Sequence, residues 1–208
     1  MNFDNQIKNQ LQNYLSMQGV ISNQTVWHAQ TGGQTNKVWR LIGEKDLICK
    51  LYLETNTNPL FNNTPEAEYR CLLWLDGSDI APKPYKYLKT PFGDVLLYNY
   101  IKGHTWSHDV ETVSELLTRI RKHKYPKGLR ILSNLPSDIK QTGLEIINKL
   151  NNYHKNKLIN ICPDVSISDI EPVLLHTDVV PGNLILGEKG LRLIDWQCPA
   201  IGDPIVDI

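Results

Sequence analysis

The chain has 208 residues, and its 22 lysine and arginine residues balance 22 aspartate and glutamate residues, so the formal net charge is zero. Hydrophobic residues make up 41% and charged residues 21% of the sequence, which is typical of a globular protein and excludes a disordered or fibrous chain. A neutral chain has no overall attraction for nucleic acid or an anionic membrane, and no apolar run approaches the roughly 20 residues of a membrane helix.

The cysteines and the first residues of the chain indicate its cellular environment. Four cysteines lie far apart in the sequence: Cys49, Cys71, Cys162 and Cys198. This spacing favours reduced, packed thiols over a disulfide framework or a zinc site. Residues 1–6 have neither the basic nor the apolar segment of a secretion signal. We therefore expect a cytoplasmic protein.

The first half of the chain is predicted to be rich in β-structure. Apolar residues at helical spacing predict a short amphipathic helix over residues 7–17. A second helix is predicted to start at Thr64 and Pro65, a hydroxyl residue followed by proline, and to end near Leu75. Short apolar runs bounded by glycine and proline turns predict five antiparallel strands: residues 25–31, 36–42, 46–52, 85–89 and 94–101.

After Gly103 the pattern changes to helices, with three short strands near the end. Helices are predicted at residues 109–124 and 137–154. The late strands are predicted at residues 171–175, 184–186 and 191–194. The change predicts an α+β protein of two lobes. A five-stranded antiparallel sheet with one inserted helix would form an N-terminal lobe over residues 1–101, and a mainly helical C-terminal lobe would span residues 102–208.

The strongest chemical signal is the pattern His-x-Asp-x-x-x-x-Asn formed by His176, Asp178 and Asn183, followed after eleven intervening residues by Asp195. Phosphoryl transfer requires a carboxylate beside the attacking hydroxyl and oxygen ligands for Mg²⁺. Asp178 suits the first role, as the catalytic residue. Asn183 and Asp195 suit the second, because a hard cation prefers carboxylate and amide oxygens. A hairpin turning at residues 187–190 would return Asp195 to the neighbourhood of Asn183.

With this motif the chain resembles the aminoglycoside phosphotransferase and choline kinase family, small-molecule kinases with a protein-kinase-like two-lobe fold. The resemblance extends over residues 26–208 and is densest over residues 176–208, where the ending Gly-Asp-Pro-Ile-Val-Asp-Ile is also similar to that family. It implies an ATP- and Mg²⁺-dependent phosphotransferase. The acceptor would be a hydroxyl group of a small molecule such as choline, thiamine, a sugar or an aminoglycoside.

The resemblance also implies roles for residues of the N-terminal half. Kinase-like folds have a lysine on the third strand, and Lys50 lies there. Glu68 takes the position of the glutamate that pairs with this lysine, and Glu66 is the weaker candidate. Because an ammonium group is costly to bury unpaired, such a pair would hold Lys50 on the α- and β-phosphates of the nucleotide.

Further nucleotide contacts are implied at two turns of the sheet. Gly32 and Gly33 join the first two strands, where the family closes a loop over the phosphates, and glycines let backbone N–H groups approach an anion closely. The adenine would lie at the end of the fifth strand, hydrogen-bonded to backbone groups around Asn99 and Ile101. Tyr98 would lie at the back of this pocket.

Two residues around the motif are given supporting roles by the same resemblance. His176 would brace the catalytic loop by hydrogen bonds, and Asp207 would support that loop from a helix start. For a cationic acceptor, Asp203 and Trp196 would be available near Asp178 as acidic and aromatic groups.

Two other classes of protein are alternatives to a small-molecule kinase. A catalytically impaired nucleotide-binding pseudokinase or scaffold is the alternative, although lost catalysis usually removes a residue of the set retained here: Lys50, Glu68, Asp178, Asn183 and Asp195. A protein kinase is disfavoured because Thr177 replaces the arginine that would bind activation-loop phosphate. The acceptor and the choice between ATP and GTP stay open.

The chain ends at Ile208, where the family continues with helices that complete the C-terminal lobe and wall the acceptor pocket. We therefore expect this lobe to be incomplete. A truncated chain, a compact variant and a partner chain that supplies the wall are the three explanations left open. In the first case an exposed apolar face would lead to either self-association or low solubility.

Overall fold

A computed structural model describes residues 3–30, 35–53, 63–107, 109–133, 136–149, 155–158 and 170–208. The N-terminal elements are α1 (Phe3–Met17), β1 (Val26–Ala29), β2 (Asn36–Ile42), β3 (Asp46–Tyr52), α2 (Pro65–Trp74), β4 (Pro84–Thr90) and β5 (Gly93–Asn99). The C-terminal elements are β6 (Gly103–Thr105), α3 (Val110–Lys122), β7 (Arg130–Ile131), α4 (Pro136–Ile147), β8 (Val173–Leu175), β9 (Leu184–Gly187), β10 (Gly190–Leu193) and β11 (Ala200–Gly202). Short 3₁₀ helices are formed by Pro181–Asn183 and Pro204–Asp207.

The predicted N-terminal sheet is confirmed. Its five strands are antiparallel and lie in the order β1-β2-β3-β5-β4. The fifth strand is shorter than predicted and ends at Asn99, because the chain then turns toward the C-terminal part. At this turn the Asn99 N–H donates to the Lys83 carbonyl and the Tyr100 N–H to the Asp46 carbonyl, both at 2.9 Å.

The central strand β3 is buried on both faces and places the predicted lysine. Side chains alternate between the faces of a strand. Leu47, Cys49 and Leu51 pack in the cluster that contains residues of α1. Ile48 and Tyr52 pack in a second cluster, which continues through α2 into the C-terminal part. Lys50 lies between Ile48 and Tyr52 in this alternation and therefore faces α2.

The C-terminal part contains more β-structure than predicted, although among the described residues those in helices still outnumber those in strands. Helices α3 and α4 are present, but two three-stranded sheets accompany them, in the orders β10-β9-β6 and β7-β11-β8. Strands β6, β7 and β11 were not predicted, because each has only two or three residues, too few to show an alternating pattern.

The small sheet of β6, β9 and β10 closes the C-terminal side of the interlobe join. Gly103 pairs with Gly187 across it, and a Cβ atom on Gly103 would lie 2.4 Å from the Leu186 carbonyl oxygen. Glycine is therefore required for this close approach. The predicted hairpin of β9 and β10 is confirmed.

Several predictions about the C-terminal part and its boundary are not tested. Residues 150–154 of the second predicted C-terminal helix lie outside the described residues, as does Cys162. The division at residues 101–103, the incompleteness of the C-terminal lobe and its self-association stay predictions. Within the described ranges, the structure contains no helix that is both long and apolar enough to cross a membrane.

Candidate active site

A cleft of about 700 Å³ lies between the N-terminal sheet and the loops that follow β8 and β10. Six of the predicted site residues line it: Lys50, Asn99, Ile101, Asp178, Asn183 and Asp195. Glu68 lies directly behind Lys50 and contacts it. Gly32 and Gly33 lie outside the described residues. The structure therefore brings residues from both halves of the sequence to one cavity.

Lys50 and Glu68 form a buried ion pair across the interface of β3 and α2. The Lys50 Nζ atom lies 2.8 Å from Glu68 Oε2, and the two side chains are only 2% and 1% exposed. Glu66 is not the partner of Lys50: its half-exposed side chain instead pairs with Lys89 at 3.0 Å. The ammonium of Lys50 also contacts Asp195 Oδ1, which joins the N-terminal pair to the C-terminal part.

These contacts keep Lys50 charged in spite of its burial. Burial alone would lower the pKa of the Lys50 ammonium, but the charges of Glu68 and Asp195 outweigh it, and the pKa of Lys50 is raised. The two carboxylates therefore compensate the cost of burying the cation.

Tyr52 is a site residue that the sequence reasoning missed. Its buried hydroxyl donates to Glu68 Oε2, the oxygen that also accepts from Lys50. Burial raises the pKa of Tyr52 well above its ordinary value, and the Glu68 charge raises it further, so the phenol stays a donor. The signal was available, since Tyr52 lies two residues after Lys50 and thus on the same face of β3.

Asp195 follows β10 in a backbone conformation that is uncommon for a residue with a side chain. Its φ angle is 66°, in the left-handed region that aspartate tolerates better than most residues. The hairpin places this loop beside Asn183, because the Ile194 N–H donates to the Asn183 carbonyl at 2.9 Å. The predicted return of Asp195 to the neighbourhood of Asn183 is confirmed.

Asp178 and Asn183 are joined directly. The Asn183 Nδ2 atom donates to the carbonyl oxygen of Asp178 and to its carboxylate oxygen Oδ2, each at 3.0 Å. The Asn183 N–H donates to the Val180 carbonyl at 2.9 Å, which closes the short 3₁₀ turn. Because the amide nitrogen of Asn183 is engaged with Asp178, its Oδ1 atom is the group that a cation would bind.

His176 supports this loop by hydrogen bonds, as the resemblance implies. Its ring is fully buried and packs edge-on against Trp196, with ring centroids 4.7 Å apart. The Asp178 N–H donates to Nδ1 at 3.3 Å, so Nε2 carries the proton and donates to the Ile194 carbonyl at 2.9 Å. Burial lowers the pKa of His176 from 6.5 to about 4, and the ring is neutral at pH 7.

This lowered pKa predicts an acid-dependent loss of stability. Between pH 6.5 and pH 4 the unfolded chain binds a proton at His176 and the folded chain does not, so stability falls as the pH decreases through this window. The loss amounts to about 3 kcal/mol. We expect His176→Gln to be less stable at pH 7 but to show a weaker decrease toward pH 4 in urea unfolding. Equal pH dependence in the two proteins would contradict the neutral buried state.

Asp207 holds the start of the same loop. Its two carboxylate oxygens accept from the backbone N–H groups of His176 and Thr177, each at 2.7 Å. Thr177 has a φ angle of 69°, and its hydroxyl donates to the Cys198 carbonyl at 2.8 Å. Asp207 lies at the end of a short 3₁₀ helix and supports the loop that carries Asp178.

The suggestion that Trp196 and Asp203 could meet a cationic acceptor is wrong. Trp196 is fully buried, and its indole N–H donates to the Leu193 carbonyl at 2.8 Å. The Asp203 carboxylate is buried and accepts from the Ile205 N–H at 2.9 Å. Trp196 packs in the core, and Asp203 caps the following turn, so neither side chain faces the cleft.

Two of the backbone N–H groups near the predicted adenine site already have hydrogen-bond partners in the protein. The backbone N–H groups of Asn99 and Tyr100 are already engaged with Lys83 and Asp46. A base in the cleft would therefore use other main-chain groups of this segment, such as those of Ile101. Tyr98 is buried and lines the cleft beside Ile48.

The sheet, the buried lysine pair and the interlobe cleft together define a protein-kinase-like fold of the type found in small-molecule phosphotransferases. Residues 133–208 match a family model described as phosphotransferase enzyme family (APH). A thiamine kinase of Escherichia coli O1:K1 is 28% identical over 154 residues, which cover 68% of this chain and 50% of that protein. The chain thus spans about half the length of the curated relatives it matches.

Solved structures show the same fold. A choline/ethanolamine kinase family protein from Mesorhizobium loti superposes with a TM-score of 0.65 at 15% identity, covering 96% of this chain and 67% of that one. A spectinomycin phosphotransferase in complex with ADP and spectinomycin gives a TM-score of 0.60 at 16% identity, covering 96% and 71%. The resemblance to the aminoglycoside phosphotransferase and choline kinase group is confirmed.

Proposed function

We propose that the protein is an ATP- and Mg²⁺-dependent phosphotransferase that acts on a hydroxyl group of a small molecule. One observation carries this proposal: a single cleft joins the buried Lys50–Glu68 pair, through Asp195, to the loop that carries Asp178 and Asn183. A charged lysine beside carboxylates and an amide oxygen is the set of groups that phosphoryl transfer needs.

Asp178 is the residue that would orient the acceptor hydroxyl and accept its proton. Its carboxylate is held by Asn183 and its backbone N–H by His176, so the side chain is positioned before a substrate arrives. Prior positioning favours catalysis because little reorganisation is then needed in the transition state.

Asn183 and Asp195 fit a magnesium site by the chemistry of their donor atoms. A carboxylate and an amide oxygen are hard ligands, and Mg²⁺ is usually held by one or two protein groups together with water and substrate phosphates. A bound Mg²⁺ would neutralise charge on the transferred phosphoryl group. Asp195 also contacts Lys50, so the cation site and the phosphate-binding ammonium would be neighbours.

The nucleotide would occupy the cleft between the sheet and the catalytic loop. We assign Lys50 to its phosphates and the segment at Asn99 and Ile101 to its base, with Gly32 and Gly33 closing the phosphate side. Among solved structures with the same fold, a spectinomycin phosphotransferase holds ADP and an aminoglycoside phosphotransferase holds GDP, so the base stays open between adenine and guanine. A competition assay between ATP and GTP would decide the preference.

Thiamine is the first acceptor to test, because the matched curated relative is a thiamine kinase. The experiment is an ATP-consumption screen of the purified chain against thiamine, choline, ethanolamine, methylthioribose and aminoglycosides. Turnover that depends on one acceptor would support the proposal and name the substrate. Nucleotide binding without turnover for any acceptor would favour the pseudokinase or scaffold instead.

Removal of the Asp195 carboxylate tests the metal site. We expect Asp195→Ala to lose at least about tenfold in Mg²⁺-dependent nucleotide affinity, since even outer-shell changes at metal sites cost about 10–100-fold. Calorimetric titration with ATP in the presence and absence of Mg²⁺ measures this. Binding of Mg²⁺-ATP as tight as in the wild type would exclude Asp195 as a ligand.

We also propose that the protein works in the cytoplasm. Three cysteines, Cys49, Cys71 and Cys198, are free and buried, which fits a reducing compartment, and the proposed reaction consumes a nucleotide that is abundant there.

A further inference from the structure

Three side-chain amides join the two lobes at one edge of the cleft. Asn36 Nδ2 donates to Asn63 Oδ1 at 3.0 Å and to Gln197 Oε1 at 2.9 Å. Asn63 Nδ2 donates back to Asn36 Oδ1 at 2.8 Å. We call Asn36, Asn63 and Gln197 the amide cluster. It links the first residue of β2 to a residue 161 positions later in the chain.

The backbone strengthens the same connection. The Thr64 N–H, at the start of α2, donates to the Gln197 carbonyl at 3.2 Å. Gln197 is therefore held through its side chain by β2 and through its backbone by α2. Two residues earlier in the same loop, Asp195 contacts Lys50 of β3. Three elements of the N-terminal lobe thus hold one loop of the C-terminal part.

The central residue of the amide cluster is buried, which makes its hydrogen bonds costly to break. Asn36 is only 5% exposed, and its amide makes all three of the cluster's hydrogen bonds. A buried amide that loses its partner is destabilised, because water does not replace the lost bond. Rotation of the lobes away from each other would break the bond from Asn36 to Gln197 and the bond from the Thr64 N–H to the Gln197 carbonyl, while Asn36 and Asn63 would keep the two bonds between them. The bonds therefore favour the arrangement in which Asp195 lies beside Lys50.

We propose that the amide cluster is an interlobe latch that positions Asp195 for the metal–nucleotide complex. Gln197 is a positioning residue, since it acts through Asp195 and the backbone of their shared loop. The consequence for nucleotide binding rests on the proposed function, whereas the latch itself can be measured in the free protein.

A pair of substitutions at Gln197 separates the hydrogen bond from the size of the side chain. Gln197→Met removes the Oε1 acceptor at nearly constant volume, and Gln197→Glu retains an acceptor for Asn36. Asn36→Asp tests the latch from the other side, because a carboxylate donates to neither Asn63 nor Gln197. Gln12→Met is the matched control: Gln12 donates to the Thr25 carbonyl at 3.3 Å within the N-terminal lobe, far along the chain from the cluster.

The first measurement is hydrogen exchange of the Thr64 amide by NMR in the ligand-free protein. We expect exchange about tenfold faster in Gln197→Met and Asn36→Asp, as the loss of one net hydrogen bond predicts. Gln197→Glu and Gln12→Met should exchange like the wild type. Unchanged exchange in both Gln197→Met and Asn36→Asp would overturn the latch.

The second measurement is the dissociation constant of Mg²⁺-ADP by calorimetry. We expect it to rise about tenfold in Gln197→Met and Asn36→Asp, and to stay within about threefold of wild type in Gln197→Glu. Faster Thr64 exchange with unchanged affinity would overturn the positioning of Asp195. A wild-type protein that binds no Mg²⁺-ADP would refute the proposed function, and the exchange measurement would then decide the latch alone.

Discussion

Asp178→Asn is expected to lose phosphoryl transfer by about 10²–10⁴-fold while Mg²⁺-ATP still binds. The replacement has the same shape. In the wild type, Asn183 Nδ2 donates to the Asp178 carboxylate at 3.0 Å, and the amide oxygen of the variant can still accept this bond. The loop should therefore keep its geometry. An amide does not accept the hydroxyl proton, however, so only the chemical step is removed. The acceptor-dependent rate and the affinity for Mg²⁺-ATP are the two measurements.

Asp79→Asn provides a matched control for this variant. Asp79 lies outside the cleft, where its half-exposed carboxylate pairs with Lys189 at 3.3 Å, so both transfer and binding should stay within about twofold of wild type, as exposed ion pairs contribute little. Turnover of Asp178→Asn at the wild-type rate would remove Asp178 from the catalytic role. A loss of nucleotide affinity equal to the loss of rate would instead assign it to binding.

The second large effect is expected at the buried ion pair. Lys50→Met leaves the Glu68 carboxylate, 1% exposed, without its cation, and removal of one partner of a buried pair costs about 3–5 kcal/mol. Burial already raises the pKa of Glu68, against the opposing effect of Lys50, so this carboxyl is poorly suited to remain charged alone. The double variant Lys50→Met with Glu68→Gln removes both charges and should regain most of the stability.

Urea unfolding and nucleotide titration together distinguish the structural and binding roles of Lys50. The double variant should be stable but should still bind Mg²⁺-ADP weakly, because no ammonium remains for the phosphates. Lys89→Met breaks the exposed pair with Glu66 and should leave the stability close to that of the wild type, because exposed ion pairs contribute little. Wild-type stability of Lys50→Met would contradict the buried pair, and full nucleotide affinity of the double variant would contradict the phosphate role.

Elements with a clear local pattern could be predicted from the sequence. The five strands of the N-terminal sheet have alternating or continuous apolar residues between glycine and proline turns, and all five are present. Strands β6 and β11 could not be predicted, since each has three residues and exists through pairing with a distant partner. Gly103 pairs with Gly187, and these residues are too far apart in the sequence for a local pattern to predict their pairing.

The site was predicted in part, for the same reason. The spacing identified Asp178, Asn183 and Asp195 as one set, because the eleven residues between Asn183 and Asp195 form a local hairpin. The amide cluster was not predicted, since Asn36, Asn63 and Gln197 are ordinary polar residues in the sequence and become partners only when the lobes meet.

The linear order of residues thus decides the chemistry that is available: the aspartate proposed as catalytic, the two oxygen groups proposed as cation ligands and a lysine on a buried strand. Packing in three dimensions decides which groups act together. It selects Glu68 over Glu66, buries Trp196 away from the cleft and brings Lys50 to Asp195, 145 positions later in the chain. Short-range sterics and periodicity act within a few residues and can be recognised in a sequence, whereas contacts between distant segments depend on how whole faces of helices and sheets fit together.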